Sequence, residues 1–472
     1  MQLSAESHPG VTNNTTRIYG WIVAAAILPA ACGASAGDDA TPDSAGWQKP
    51  AWLTDLSLGF QESYDNNVLG VSGRGMKPAS SWISTVSPRL GIDFAPLLGD
   101  QAALQKLTLS YTPDFAVYHD AAAESYDAHK FGNAIQGKTG DFSFSVNNAF
   151  LYNDGGRDAP IYARNQLSGA AGNQNDKFRN FYAFAMPRER RDQIQDRSTA
   201  WLEYDADKLF FRPTGSWLSY DLNTIFHNAA KAPFLGYQNW PDRYDVNGGA
   251  DVGYRVADDL ALTLGGRYGS QYQQQFPAAI SSDRHYSSSD YQRALLGLEG
   301  APWKWLKVEL KGGPDFREYN ANAPVNNLHP VTYFGEAAIT AATTDRQSLA
   351  FKYRQWEWVS STGLVPYFDS TYALTYHWSP TRHWGLDLGG RMLEADFSSG
   401  SDTAGTAPSL RDDRLFTVSA GVSYSFNTHL GANLAYTYDL GRNAQDNLPA
   451  KDEAAYRAYD RQLVSLGVQY KF

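Results

Sequence analysis

The chain ends in the stretch RQLVSLGVQYKF, residues 461–472. Counted back in steps of two from the last residue, its side chains are apolar or aromatic: Phe472, Tyr470, Val468, Leu466 and Val464. The residues between them are mostly small or polar. Because successive side chains of a β-strand point to opposite faces, this stretch predicts a strand with one apolar and one polar face.

The composition favours one large β-structure over a bundle of membrane helices. Of the 472 residues, 14% are aromatic and 19% are charged, and the mean hydropathy is −0.45. Beyond the N-terminus no stretch approaches the roughly 20 apolar residues that a membrane-spanning helix needs, whereas a spanning strand exposes only alternate residues to lipid. The net charge of −10 argues against nucleic-acid binding, which needs a basic surface.

The same alternation recurs along the rest of the chain. Leu262 and Leu264, for example, face away from Thr263 and Arg267. Short connectors rich in turn residues alternate with long polar ones, as in barrels with short periplasmic turns and long extracellular loops. The pattern predicts an all-β fold, namely a transmembrane, antiparallel, up-and-down β-barrel of about 18 strands, within a range of about 16–20.

Two segments, 126–136 and 331–341, carry the weakest strand pattern. Aromatic residues cluster beside the short turns and predict a girdle at the membrane interface: Trp303, Trp305, Trp378, Trp384, Phe426 and Tyr470. The soluble alternative is a secreted β-propeller, whose blades repeat every ~40–45 residues. The sequence shows no recurring blade motif, so we favour the barrel.

The N-terminus has the pattern of a secretory signal. Arg17 precedes an apolar stretch, residues 18–31, and Ala34 and Ala36 form an A-x-A site. We expect residues 1–36 to be a signal peptide cleaved after Ala36, residues 37–51 a periplasmic extension, and residues 52–472 a single barrel. Lipidation at Cys32, the only cysteine, is the less favoured alternative, because Pro29 occupies a position where that signal needs a branched apolar residue.

The longest connector, residues 153–191, joins the fifth and sixth predicted strands and is locally basic. Long loops without secondary structure are usually functional. Its cations are candidates for a pore constriction: Arg164, Lys177, Arg179, Arg188, Arg190 and Arg191. The loop either folds into the lumen, as the loop at this place does in general porins, or covers the extracellular rim.

Strand parity predicts which charged residues line the lumen. If the leucines of each strand face lipid, the charged residues between them face inward: Arg267, Lys307, Glu309, Lys311, Lys352, Arg354, Asp387 and Arg391. Such charges set the ion preference of a narrow pore. Alternatively, opposite charges pair across strands and only stabilise the wall.

The sequence contains no recognisable catalytic motif, and we predict neither a catalytic residue, a cofactor nor a metal site. His119 and His129 flank a segment with Ser125 and Asp127, and this grouping is the main candidate for a hydrolase site. Solvated loop residues are the preferred interpretation. The stretch Asp154–Asp158 supplies only two carboxylates, too few for a calcium loop.

The chain resembles bacterial outer-membrane barrels, in which the barrel-assembly machinery reads a terminal strand ending in Phe, here Val464 to Phe472. Its N-terminal part resembles the β-barrel porin 2 family, with Tyr64-Asp65-Asn66-Asn67-Val68 followed by Ser80-Ser81-Trp82-Ile83 and Ser87-Pro88-Arg89-Leu90. Asn66 and Arg89 depart from the family pattern. The resemblance implies a place in a Gram-negative-type outer membrane.

The function expected from this reading is a porin that allows passive diffusion of small hydrophilic solutes. Expected partners are outer-membrane lipid and lipopolysaccharide, the assembly machinery, small solutes or saccharides, and, for a trimer-forming barrel, two further copies of the chain. The alternatives are an accessory to exopolysaccharide export and a non-conducting structural or enzymatic barrel.

Overall fold

The computed structural model describes residues 49–70, 78–99, 103–155, 192–223, 241–275, 287–320, 330–359, 366–400, 409–446 and 458–472. Within these ranges nearly all residues lie in strands, and the two helical segments are short 3-10 turns, Ala95–Leu97 and Ala122–Glu124. No helix in the described part is long and apolar enough to cross a membrane.

The strands follow one another along the whole described chain. In order they are β1 (Leu53–Asp65), β2 (Ser81–Asp93), β3 (Leu104–Tyr111), β4 (Asp114–Tyr118), β5 (Tyr126–Thr139), β6 (Phe142–Asp154), β7 (Gln193–Ala206), β8 (Leu209–Asp221), β9 (Arg243–Ala257), β10 (Leu260–Gln273), β11 (Ser289–Trp303), β12 (Leu306–Tyr319), β13 (Val331–Thr344), β14 (Gln347–Trp358), β15 (Tyr367–Trp378), β16 (Trp384–Gly400), β17 (Ser409–Ser425), β18 (Leu430–Asp446) and β19 (Tyr459–Lys471).

The sheet closes on itself. Except that β3 and β4 do not pair with each other, each strand pairs antiparallel with its neighbours in sequence, and β1 pairs with β19 from Ser57↔Lys471 to Asp65↔Leu463. β3 and β4 both pair with β2 and with β5, so they are two halves of one crossing, interrupted near Pro113, which cannot donate a ladder hydrogen bond. The described residues thus form an eighteen-stranded, up-and-down, antiparallel barrel, which confirms the predicted fold class.

The connectors differ between the two ends of the barrel. At the end that holds the first and last described residues, tight turns such as 140–141, 207–208 and 258–259 join the strands; we call it the short-turn end. At the opposite, long-loop end, the strands are separated by longer stretches such as 155–192 and 222–242. The two weakly patterned segments are strands, β5 and β13.

The two faces of the wall have opposite chemistry. The outward positions carry exposed apolar side chains, for example Leu264 and Leu296, each 67% exposed. The intervening inward positions include Thr263 and Arg293, which are 3% and 7% exposed. The aromatic residues expected at the short-turn end lie outward, and Trp303 and Trp305 stack at 5.7 Å. The wall therefore has the outward-apolar, inward-polar arrangement of a membrane barrel.

Residues of the stretch Tyr64–Val68 hold the closing seam at the long-loop end. Asp65 is fully buried and its Oδ2 accepts hydrogen bonds of 2.9 and 2.6 Å from Arg461 of β19. The side chain of Asn67 donates to the carbonyl oxygen of Asp460 at 2.8 Å. The segment behind the family resemblance therefore joins the first strand to the last.

Candidate functional site

The barrel encloses a cavity of about 990 Å³ near the short-turn end, walled by the inner faces of β7 to β15. Its lining is mainly charged, and of the residues predicted from parity it includes Lys307, Glu309, Lys311, Lys352 and Arg354. The functional interpretation depends on this combination of a closed wall and an open cavity lined by charged side chains.

Part of this charge is neutralised across strands. Arg212 of β8 lies between Glu203 of β7 and Glu299 of β11, with N–O distances of 2.6 Å to each. Its guanidinium also stacks over Phe210 at 4.7 Å. Arg255 of β9 binds Asp205 at 2.6 Å. These bidentate and stacked contacts fix the arginines, so we assign them mainly to wall stability.

A second group centres on Asp251 of β9, which is 2% exposed. Arg267 lies 2.8 Å and Lys311 2.9 Å from its carboxylate. Lys307 and Glu309 also pair, at 2.7 Å, but both are more than half exposed, so their pairing is weak. Two of the predicted lumen cations thus share one acid.

Three cations of the cavity have no carboxylate within ion-pair distance among the described residues: Arg197 of β7 and Lys352 and Arg354 of β14. Arg354 lies over the ring of Trp356 at 4.9 Å, which leaves its charge in place. Glu336 of β13 lines the same cavity and also has no ion-pair partner among the described residues, so the cavity carries unpaired charges of both signs.

Above the cavity, towards the long-loop end, β14 separates from β13, while β15 stays paired with β16 up to Phe368↔Asp396. β14 pairs with β13 only up to Gln355↔Gly335, whereas β13 continues along β12 to Val331. β14 stays paired with β15 through Trp358↔Tyr367. Trp356, Glu357 and Trp358 are all buried, which a strand with one lipid-facing side would not show. We call residues 356–359 and 366–369 the inward hairpin.

The inward hairpin rests on the inner face of strands that are distant in the sheet. Arg243 of β9 donates to the carbonyl oxygen of Val359 at 3.0 Å, and Gln271 of β10 donates to that of Glu357 at 3.0 Å. Arg317 of β12 donates to the same carbonyl at 3.1 Å. These donors satisfy backbone oxygens that the separation from β13 would otherwise leave unpaired.

Aromatic packing extends the contact further round the barrel. Trp356 and Trp358 stack at 4.6 Å, and Trp358 lies 6.4 Å from the ring of Tyr220 on β8. Leu218 of β8 and Phe334 of β13 pack against the same cluster. The hairpin therefore narrows the lumen between the long-loop end and the cavity.

The facing part of the wall contributes little side-chain volume. On β16 to β19 the inward positions include small residues: Gly389, Ser419, Gly421, Ala435 and Gly467. Their neighbours Leu388, Val418, Leu434 and Leu466 are 44–57% exposed on the outside. These positions therefore add little side-chain volume to the lumen, although Asp387 and Arg391 of β16 also lie on the inward parity.

Asp387 and Arg391, both predicted to line the lumen, lie on the inward parity of β16. Asp387 contacts Nδ1 of His377 on β15 at 2.7 Å, and the Nε2 atom of His377 lies 2.9 Å from the Ser379 hydroxyl. This is the order of contacts in a Ser-His-Asp relay. His377 and Asp387 are each about half exposed, and the Ser379 N–H donates to the Arg346 carbonyl.

The histidines proposed from sequence have other neighbours. His119 Nε2 lies 2.8 Å from the Ser84 hydroxyl and 3.8 Å from Glu62. A catalytic relay needs the hydroxyl on one ring nitrogen and the carboxylate on the other, and here both groups lie near the same nitrogen. His129 Nδ1 lies 2.8 Å from the Tyr111 hydroxyl on the outward face. Within the described ranges no group of three or more His, Cys, Asp or Glu side chains could hold a metal ion.

The predicted loop cations lie outside the described residues: Arg164, Lys177, Arg179, Arg188, Arg190 and Arg191. Ala34 and Ala36 of the expected signal also lie outside them. Sequence analysis missed the inward hairpin and its anchors. The only local sign was the run Gln355-Trp356-Glu357-Trp358-Val359, where apolar and polar residues keep alternating but the bulky ones fall on the inward parity.

Comparison with known proteins gives a fold-level likeness. No family model and no curated protein matches the chain. Among solved structures it is similar to OccK9 (OpdG) of Pseudomonas aeruginosa, with 12% identity, a TM-score of 0.40 and coverage of 89% of this chain and 98% of that one. OccAB2 of Acinetobacter baumannii is 10% identical, with a TM-score of 0.40 and coverage of 89% of this chain and 98% of that one. The siderophore receptor PirA of the same species is 8% identical, with a TM-score of 0.38 and coverage of 89% of this chain and 81% of that one. No residue role is transferred from these proteins.

Proposed function

We propose that the chain is an outer-membrane channel through which small hydrophilic solutes diffuse passively. The observation that carries this proposal is the charged cavity of about 990 Å³ inside a closed, outwardly apolar barrel. An eighteen-stranded barrel is wide enough for a water-filled lumen unless protein fills it. The inward hairpin supplies the narrowing that would select solutes by size.

The proposal places the short-turn end in the periplasm and the long-loop end outside the cell. Barrels of this kind have short periplasmic turns, and the outward residues of β19 have the alternation of an assembly signal. Val464, Leu466 and Phe472 are 43–57% exposed on the outward face, where assembly machinery and lipid could contact them. The expected neighbours are outer-membrane lipid and lipopolysaccharide.

The direct experiment is single-channel recording of the refolded chain from Gly37 onward in a planar bilayer. Steady conductance supports an open aqueous pore, and liposome swelling with saccharides of increasing size gives its limit. Absence of conductance from a correctly folded, heat-modifiable barrel would overturn the channel proposal. Polysaccharide export is less favoured, because the hairpin narrows the lumen that an exported chain would have to cross.

A second candidate function is hydrolysis at Ser379, because its contacts with His377 and Asp387 follow the order of a catalytic relay. A fluorophosphonate probe, which labels activated serines, should modify the native barrel at Ser379 if this function exists. The Ser379→Ala variant is the matched control. Labelling no greater than in the heat-unfolded chain would leave the contacts as a structural link between β15 and β16.

A further inference from the structure

Four polar side chains lie together on the outward face of β5, β6 and β7, and we call them the polar patch: Asn133, Asn148, Asp196 and Ser198. In the sheet, Asn148 pairs with Asn133 on one side and with Ser198 on the other. The residues two positions away, Phe131 and Val146, are 46% and 38% exposed on the same face. The polar patch therefore points away from the lumen.

The polar patch lies inside the apolar belt. Towards the long-loop end it is followed by the Phe131↔Phe150 pair, and towards the short-turn end by the Ile135↔Val146 pair. Other outward belt positions include large apolar side chains: Val252, Leu264, Leu296, Val418, Leu434 and Leu466. Polar groups at such depth are costly in lipid and usually have a partner.

Bonds within the polar patch meet part of that need. Asn133 donates to the Asn148 carbonyl oxygen at 3.2 Å, and Asn148 donates to the Ser198 hydroxyl at 2.9 Å and to one carboxylate oxygen of Asp196. Among the described residues, none donates a side-chain hydrogen bond to the second carboxylate oxygen of Asp196. An asparagine amide has two donors and two acceptor sites, so one N–H of Asn133 and an acceptor site on each amide remain.

Small residues adjoin the polar patch. Ala200 pairs with Gly215 and Gly215 with Gly248, so a row of small outward positions runs across β7, β8 and β9 beside Ser198. Close approach over small residues, with polar groups bonding across the contact, is typical of interfaces between membrane segments. Lipid tails would gain nothing from either feature.

We propose that the polar patch and the adjoining small residues form an interface with a second copy of this chain in the membrane. Carboxamides are self-complementary, because each carries both donors and acceptors. A two-fold contact brings the same patch of each copy together. Both N–H groups of Asn148 are used within the patch, so the remaining N–H of Asn133 in one copy then donates to a free oxygen, that of Asp196 or Asn148, in the other.

The test is disulfide trapping of the full-length chain in native outer membranes. Cys32 is the only cysteine, so a Cys32→Ser background allows single-cysteine variants. Asn148→Cys should form a covalent dimer on mild oxidation, because a two-fold contact places the residue near its own copy. Leu374→Cys, at a 48% exposed belt position on β15, is the control and should remain monomeric.

A second variant addresses the polar contacts themselves. The double substitution Asn133→Leu and Asn148→Leu should convert a detergent-extracted dimer to monomer, with conductance per barrel unchanged. Should Asn148→Cys fail to fold, Val146→Cys on the same face serves as the probe. Equal trapping of the patch and control cysteines would overturn the proposal. A monomer in which the introduced cysteine is inaccessible to thiol reagents would also overturn it, because another segment of the chain or another protein would then cover the polar patch.

Discussion

The guanidinium of Arg317 on β12 donates a hydrogen bond of 3.1 Å to the backbone carbonyl oxygen of Glu357 on β14, although β13 separates these strands in the sheet. The contact exists only because β14 has left β13 and lies across the lumen. Arg317 is fully buried and also binds the Asp315 carboxylate at 3.0 Å. One arginine thus joins the wall to the inward hairpin.

Removal of Arg317 should loosen the hairpin. Arg317→Ala leaves the buried carboxylates of Asp315 and Glu357 without this partner, which we expect to cost about 3–5 kcal/mol of unfolding free energy. Single-channel recordings should then show larger or fluctuating conductance. Arg293→Ala is the matched control, because Arg293 also binds Asp315, at 2.9 Å, while no hydrogen bond in the described part joins it to β14. Equal conductance in the two variants would contradict the anchoring role.

Shortening the hairpin should widen the pore. Trp356 and Asp369 are directly paired, so Glu357–Phe368 can be replaced by Asn-Gly, a dipeptide that closes two-residue hairpins. We expect a higher conductance and a larger solute limit in liposome swelling, because the segment that crosses towards Tyr220 is gone. An unchanged solute limit would show that the constriction lies elsewhere.

The cations without acidic partners should set the ion preference. Lys352→Gln with Arg354→Gln removes two positive charges from the cavity, so the reversal potential in a salt gradient should move towards cation selectivity. Lys311→Gln is the control, because the charge of Lys311 is already offset by Asp251 at 2.9 Å. If the single Lys311 change shifts selectivity as much as the double variant, the cavity charge acts as a whole rather than through its free cations.

The two-residue periodicity of the sequence was sufficient to predict the barrel wall, but it was insufficient to predict how side chains and the hairpin are arranged inside the barrel. The outward leucines of β10 and the inward Arg267 follow from a two-residue repeat, since each strand needs only its neighbours for hydrogen bonding. The hairpin depends instead on contacts such as Arg243 to Val359, 116 positions apart. Which basic residue meets which carbonyl depends on barrel width and strand stagger, and neither leaves a local pattern in the chain.

The same limit applies to the charged wall. Parity identified Lys307, Glu309 and Lys311 as inward residues, but it could not show that Lys311 shares Asp251 with Arg267 while Lys352 and Arg354 have no acidic partner. Pairing is decided by which strands lie side by side and by their register. Sequence analysis therefore found the charged face but not the distribution of free charge on it.

The seam between β1 and β19 should be a sensitive point of stability. Asp65→Ala removes the buried partner of Arg461, and we expect a loss of about 2–4 kcal/mol, less than for a fully buried pair because Arg461 is partly exposed. The midpoint of guanidinium unfolding measures the change. Arg442→Ala, which breaks an exposed pair with Asp460 at 3.2 Å, should cost less than about 1 kcal/mol. Similar losses in both variants would remove any special role of the seam.

The terminal aromatic residue should matter more for assembly than for the stability of the finished barrel. Phe472 is 45% exposed and contacts Tyr470 edge-on at 4.8 Å, and Phe426, 53% exposed at the same end, contacts Tyr424 in the same manner at 4.9 Å. Phe472→Ser and Phe426→Ser therefore remove similar contacts, and the refolded proteins should unfold at similar denaturant concentrations. If the last strand is read as an assembly signal, only Phe472→Ser should lower the amount of folded barrel in outer membranes. If both variants lower the amount of folded barrel equally, the effect comes from the aromatic girdle at the membrane interface. The position of Phe472 at the chain end would then have no separate role in assembly.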